Sequence, residues 1–189
     1  MSTTIFSVDA FKAAMSGGGA RPNQFEVEIT FPEFIQERGM ATISAQFLVT
    51  SATLPGSSLG VATQMYRGRE VHFAGDRQFA PWSITVVNDS TMNMRNAFEA
   101  WVNGMDDLKQ KKGRVNPLNY QRRCSVTQLD RNNTPIKKYI LNGAFPVDVG
   151  DVSLDFGAND QISQFSVEMV FQDFETEFTA MTRGETFIG

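Results

Sequence analysis

His72 is the only histidine and Cys124 the only cysteine in a chain of 189 residues. Together they could supply a thiolate nucleophile and its base, and Arg123 beside the thiol would favour the thiolate. The pattern argues otherwise. His72 lies between Val71 and Phe73 in an extended-looking stretch, and no motif links it to Cys124. A structural histidine and a small buried hydrophobe account for both. Asp148, Asp151, Asp155 and Asp160 offer carboxylates for a divalent ion, but their spacing does not fit an EF-hand loop. Aspartates in Gly-rich turns commonly bond their own backbone. Gly17-Gly18-Gly19 is not followed by Gly-Lys-Ser/Thr, so it is no phosphate loop. Lys109, Lys111, Lys112 and Arg114, with Arg122 and Arg123 near in sequence, could touch phosphates. No aromatic residue interleaves the lysines, as a single-strand stacking surface requires. A solvated loop or a protein contact is the better reading. No catalytic set, metal site or cofactor site emerges, and the chain reads as a non-enzyme.

Composition sets the frame for these residues. Hydrophobic residues make up 41% and charged residues 20%, the balance of a globular chain. The length suits one domain, residues 1–189, with a real core. Sixteen phenylalanines suit a sandwich or barrel, where each ring buries a large area. A net charge of −4 gives no footing for wholesale nucleic-acid binding. The charge is uneven: residues 95–138 carry 10 basic and 4 acidic side chains, and residues 139–189 carry 1 basic and 9 acidic. Copies could meet through these regions, although two separately solvated surfaces are the blander explanation. A lone cysteine excludes an internal disulfide. No basic leader with an apolar run is visible, and no apolar stretch approaches ~18 residues. Neither secretion nor membrane binding is expected.

The elements follow from periodicity. Ser7 caps a short helix over Val8–Met15, with Val8, Phe11 and Met15 on one face. This forms an N-terminal arm, residues 1–20, linked by glycines. Phe25, Val27 and Ile29 alternate with Glu26, Glu28 and Thr30 as a half-buried strand. Pro32 to Gly39 reads as a helical turn or loop. Thr42 to Thr53 reads as a strand with Ile43, Ala45, Phe47 and Val49 inward, a pattern that Leu48 breaks. Ser57 to Thr63 reads as a small-residue loop, Gln64 to Phe73 as exposed extended chain, and Ala74 to Arg77 as a turn. Pro81 opens a strand in which Trp82, Ile84 and Val86 alternate with Ser83 and Thr85. Met94, Phe98, Trp101, Met105 and Leu108 form one stripe of a helix over about Thr91–Leu108. Arg122–Asp130 and Pro135–Leu141 flank a hairpin tip at Arg131–Thr134. Ile162–Phe171 is the last strand, with Phe165, Val167 and Met169 inward. Read alone, these elements make a mainly β chain with one long helix.

Four stretches carry a family resemblance. They are Ala20-Arg21-Pro22-Asn23-Gln24-Phe25-Glu26-Val27-Glu28-Ile29, Ala52-Thr53-Leu54-Pro55, His72 to Asp89 (HFAGDRQFAPWSITVVND), and Gly143 to Glu168. In that order they resemble the tail tube proteins of contractile-tailed, T-even-type bacteriophages, and they span most of the chain. The resemblance implies a mainly β fold, an antiparallel β-sandwich or barrel with one flanking α-helix, assembled as hexameric rings, sheets joined edge to edge, that stack into a tube inside a contractile sheath. It implies non-specific passage of double-stranded DNA, and sheath, baseplate and tail terminator proteins as partners. It places the protein in the virion tail, assembled in the host cytoplasm. Residues Pro32–Gly39 depart from the pattern as an insertion and residues 175–189 as a C-terminal extension. Two rivals stay open: the inner tube of a phage-derived injection device, such as a contractile bacteriocin or a type VI secretion tube, and, from a different class, a small-ligand-binding β-barrel or an unrecognised enzyme.

Within that frame the polar strand faces are expected to line the lumen. They comprise Glu26, Glu28 and Thr30; Ser44, Gln46 and Thr50; Ser83 and Thr85; and Gln164, Ser166 and Glu168. Three glutamates and no lysine or arginine would keep DNA phosphates from sticking. Contacts between subunits or rings are expected from Lys109, Lys111, Lys112 and Arg114, and from Phe178, Met181, Phe187 and Ile188, since exposed apolar side chains usually find a partner.

Overall fold

Alternating burial builds the strands, and the structure, a computed structural model, describes residues 7–15, 19–36, 38–106 and 116–178. In chain order these contain α1 (Val8–Ala14), β1 (Phe25–Ile29), α2 (Arg38–Leu48), β2 (Val49–Ala52), β3 (Ser57–Tyr66) and β4 (Arg69–Phe79). There follow β5 (Trp82–Val87), α3 (Asn93–Met105), α4 (Pro117–Tyr120), β6 (Arg122–Leu129), β7 (Pro135–Val149), β8 (Gln164–Val170) and β9 (Asp173–Phe178).

Two antiparallel sheets share one long strand. The first runs β1-β6-β7-β9 and the second β7-β8-β5-β2. Residues 137–142 of β7 pair with β9, and residues 145–149 pair with β8. Gly143 lies between these two stretches with φ +64°, a left-handed conformation that glycine adopts without a Cβ penalty. Register puts Val27, Val126 and Tyr139 on one face of the first sheet, with Ile29, Cys124 and Leu141. It puts Val86 with Phe165, Ile84 with Val167, and Trp82 with Met169 in the second. These faces bury one common hydrophobic core.

The helices complete that core. Met94, Ala97, Phe98 and Trp101 of α3 are buried, and the Phe98 ring meets Phe31 at 5.2 Å and Phe165 at 6.3 Å, both edge-on. Both buried indoles find acceptors, as burial of a polar N–H demands. Trp82 Nε1 donates to the Thr53 carbonyl at 2.7 Å and Trp101 Nε1 to the Tyr120 carbonyl at 2.9 Å. Asp89 Oδ1 accepts from the Asn93 amide at 3.0 Å, satisfying a first-turn donor of α3. Leu108, expected on the α3 stripe, lies outside the described residues.

Four expectations are corrected. Thr42 to Thr53 is not one strand, because α2 runs to Leu48 and only Val49–Ala52 is extended. Ala41, Ala45 and Val49 are the buried positions, four residues apart, whereas Ile43 and Phe47 are 63% and 77% exposed. The alternation had mimicked a strand, and Leu48, which broke it, belongs to the helical face. Ser57–Thr63 is the first strand of a long hairpin, not a loop, and Ala74–Arg77 continues its second strand. The turn is instead at Arg67-Gly68, where both φ angles are positive, as a two-residue hairpin turn needs. Finally, residues 175–178 are no free tail, because β9 pairs with β7 through Lys137↔Phe178 to Asn142↔Asp173.

Candidate assembly interface

Three surfaces face away from the core. The first is the outer face of the first sheet. Register aligns Glu26, Thr127, Lys138 and Glu177 in one row, and Glu28, Ser125, Ile140 and Glu175 in the next. Glu28 Oε2 accepts from the Ser125 hydroxyl at 2.7 Å and from Lys138 Nζ at 3.1 Å. The Ser125 bond, then the Lys138 bond, hold the Glu28 carboxyl below its usual pKa. Arg123 approaches Glu175 at 3.9 Å between exposed side chains, a weak pair. Among the described residues each of β1 and β9 pairs on one side only. Edges left open in this way can template a further strand.

The second surface is the outer face of the second sheet, where Ser83 lies opposite Glu168 and Thr85 opposite Ser166. Asp148 also pairs with Glu168, so this face is acidic too.

The third is the β3–β4 ribbon. Cross-strand partners put Leu59, Val61 and Met65 on one face and Tyr66, Val71 and Phe73 on the other. All six are exposed. At ~3.4 Å per residue a ten-residue strand reaches about 34 Å. A lone two-stranded ribbon is at best marginally stable in water. Its base is anchored where Phe79 packs against Phe171 and Phe174 with ring centroids 5.5 and 5.6 Å apart. α1 likewise buries no residue, and Val8, Phe11 and Met15 stay exposed.

The lone cysteine and the lone histidine lie on different elements, β6 and β4. Cys124 is buried in the first sheet, and desolvation pushes its thiol up to about 12. His72 sits on the exposed ribbon, its Nδ1 3.3 Å from Thr63 Oγ1. Asp155 Oδ1 accepts from the Gly157 amide at 2.9 Å, the backbone role expected of a loop aspartate. Among the described residues no three His, Cys, Asp or Glu side chains gather as a metal site would need, and no helix is long and apolar enough to cross a membrane.

Residues 20–177 match the family model described as phage tail tube protein. The chain belongs to the phage tail tube protein family. It is 32% identical over 165 residues to the tail tube protein of Serratia phage KSP90, covering 86% of this chain and 93% of that one. It is 28% identical over 172 residues to tail tube protein gp19 of Enterobacteria phage T4, covering 90% of this chain and 100% of that one. Solved structures share the fold at lower identity. A chain of the anti-feeding prophage baseplate is similar with a TM-score of 0.61 at 15% identity, over 86% of this chain and 98% of that one. One from the extended sheath–tube complex of an extracellular contractile injection system gives 0.58 at 12%, over 92% and 99%. As a tail tube family member the protein is a structural component of the contractile tail of a virion.

The tail tube fold divides the expected lumen residues among separate surfaces. Glu26, Glu28 and Thr30 belong to the first sheet's outer side, and Ser83, Thr85, Gln164, Ser166 and Glu168 to the second's. Both sheets bury their inner faces in one core, so their outer faces look different ways. Ser44 and Gln46 lie on α2, and Thr50 on β2, where its hydroxyl donates to the Thr85 carbonyl at 3.4 Å. The supposed absence of cations from the glutamate face is corrected as well, because Lys138 and Arg123 share it. Lys109, Lys111, Lys112 and Arg114 lie outside the described residues, as do Met181, Phe187, Ile188 and the Phe178 side chain. Sequence reasoning missed Glu175 and Glu177, although Asp173, Glu175 and Glu177 alternate with Phe174, Thr176 and Phe178 as a strand does.

Proposed function

We propose that this protein forms the inner tube of a contractile phage tail as homohexameric rings, stacked and joined through their sheets, and that it has no catalytic activity. The carrying observation is the four-stranded first sheet, which ends on two open edges, β1 and β9. Pairing β9 of one copy with β1 of the next would continue that sheet around a ring. Its outer face would then line the bore, with Glu26, Glu28, Asp173, Glu175 and Glu177 against Lys138 and Arg123. Lys138 is already held by Glu28. The wall would stay net acidic and bind DNA phosphates weakly, which suits passage of a duplex. Sheath, baseplate and terminator proteins would meet the tube's outside and ends. The identities of 28% and 32% to phage proteins, against 15% to a chain of the anti-feeding prophage and 12% to one of an injection system, favour a phage tube over such a device.

Electron microscopy of the purified chain tests this reading. Hollow tubes of stacked sixfold rings with Glu26 and Glu28 on the bore are expected. A chain that stays monomeric at every concentration, or tubes with those residues on the outer wall, would overturn it.

A further inference from the structure

We infer that the exposed apolar face of α2 is a docking surface for the N-terminal arm of the same copy, which covers it in the unassembled subunit. α2 presents Met40, Ile43 and Phe47 to solvent at 60%, 63% and 77% exposure. These are positions i, i+3 and i+7, one stripe along a helix about 16 Å long. Beside its first turn opens a hollow of about 390 Å³, lined by Phe34, Ile35, Ala97 and Ala100 among others. Asn93 belongs to the same lining, and its Nδ2 donates to Met40 Sδ at 3.7 Å. Hollow and stripe therefore form one continuous track.

The arm carries the complement. Val8, Phe11 and Met15 also stand at i, i+3 and i+7, and all three are exposed. α1 has seven residues and buries none of them. So short a helix does not persist in water unless it packs on a surface, even with Ser7 capping its start. Two stripes of equal spacing let the side chains of one helix seat between those of the other. Ile5 and Phe6, which lie outside the described residues, lengthen the arm's apolar sequence.

Reach decides for the same copy. Residues 16–24 join the arm to β1, and nine residues span at most about 30 Å. α2 packs on β1, itself about 17 Å long, so the stripe lies within that span. A tether of this length holds the arm at an effective concentration of about millimolar, well above that of a second copy in dilute solution. Docking would withdraw six large apolar side chains from water in a subunit that must stay dispersed until it assembles. It happens within one subunit and does not depend on how rings close.

Cross-linking in the full chain, kept too dilute to assemble, tests the docking. Phe11 and Ile43 sit at the middle of the two stripes and meet whichever way the helices run. Phe11→Cys with Ile43→Cys should close a disulfide within one chain, in a fraction that dilution does not change. It should do so about tenfold more than Phe11→Cys with Leu154→Cys, a site at least as open to solvent. Cys124 is buried and should not compete. Separately, Phe11→Ser with Met15→Ser should leave the melting temperature unchanged, since neither residue is buried, and raise the binding of an apolar dye about twofold. Equal cross-linking at Ile43 and Leu154, or none at either, overturns the docking, as does dye binding no higher than wild type. Cross-links that form between chains and vanish on dilution assign the stripe to a second copy and overturn it too. Each of these results leaves the tube reading standing.

Discussion

Gly75→Val should separate assembly from folding. Gly75 faces Gly60 where the ribbon's register shifts, between Leu59↔Arg77 and Val61↔Ala74. A Cβ at Gly75 would stand 3.0 Å from both the carbonyl carbon and the oxygen of Gly60, and 3.4 Å from the Val61 nitrogen. These are backbone atoms, so no rotamer change relieves the clash. The strands must part by about 0.4 Å to reach ordinary contact, and valine's branches demand more. Overpacking of this kind costs roughly 1–3 kcal/mol. That is enough to open a two-stranded ribbon that is marginal to begin with. The sandwich should not notice, because the ribbon from Ser57 to Gln78 contributes no residue to the buried core. Global stability should change by less than about 0.5 kcal/mol. The expected result is an unchanged melting temperature, fast amide exchange along 57–79, and few or no tubes by microscopy. Protected ribbon amides with normal tubes would refute the close-approach argument. A melting temperature lowered by many degrees would show the ribbon to be part of the cooperative core.

Two further outcomes test the sandwich. Phe98→Ala should cost about 3–5 kcal/mol in urea melts, because the ring is fully buried between Phe31 and Phe165; a loss below about 1 kcal/mol would contradict that packing. Glu28 has its folded pKa below the ordinary 4.5, so the stability it adds is complete above that value and fades as the pH falls below it. Ser125→Ala removes the largest cause, so its melting temperature should trail wild type modestly at neutral pH, the pair being partly exposed, and the gap should narrow toward about pH 3. A gap independent of pH would assign the serine a packing role only.

The parts of the fold that could be read from sequence are those where one face meets the core and the other meets water. β1, β5 and β8 show that alternation, and α3 shows a helical stripe with Phe98 and Trp101 at its centre. The ribbon lacked such a signal because neither of its faces is buried within the subunit. Its small residues and two facing glycines resembled a loop and a turn. α2 misled for a different reason. Ile43 and Phe47 are exposed, so the largest apolar residues pointed to the wrong face, and the small Ala41 and Ala45 carried the packing. The polar faces were legible as faces, but strand alternation is silent about which sheet a strand joins. That is why Glu168 was grouped with Glu26 and Glu28.

Placing those glutamates on different sheets sharpens the choice of bore. A ring needs edges that can propagate pairing from copy to copy. β2 is four residues long, runs directly out of α2, and has a register break between Val49 and Ser51, all of which blunt it as a template. β1 and β9 pair without a break over five and six residues, and stand at opposite ends of the first sheet. Ring closure through them would bring Glu26 and Glu28 of one copy beside Glu175 and Glu177 of the next. Like charges across neighbouring strands oppose pairing, so the backbone bonds would have to offset that repulsion. In such a ring the acidic wall would weaken the very joint it lines.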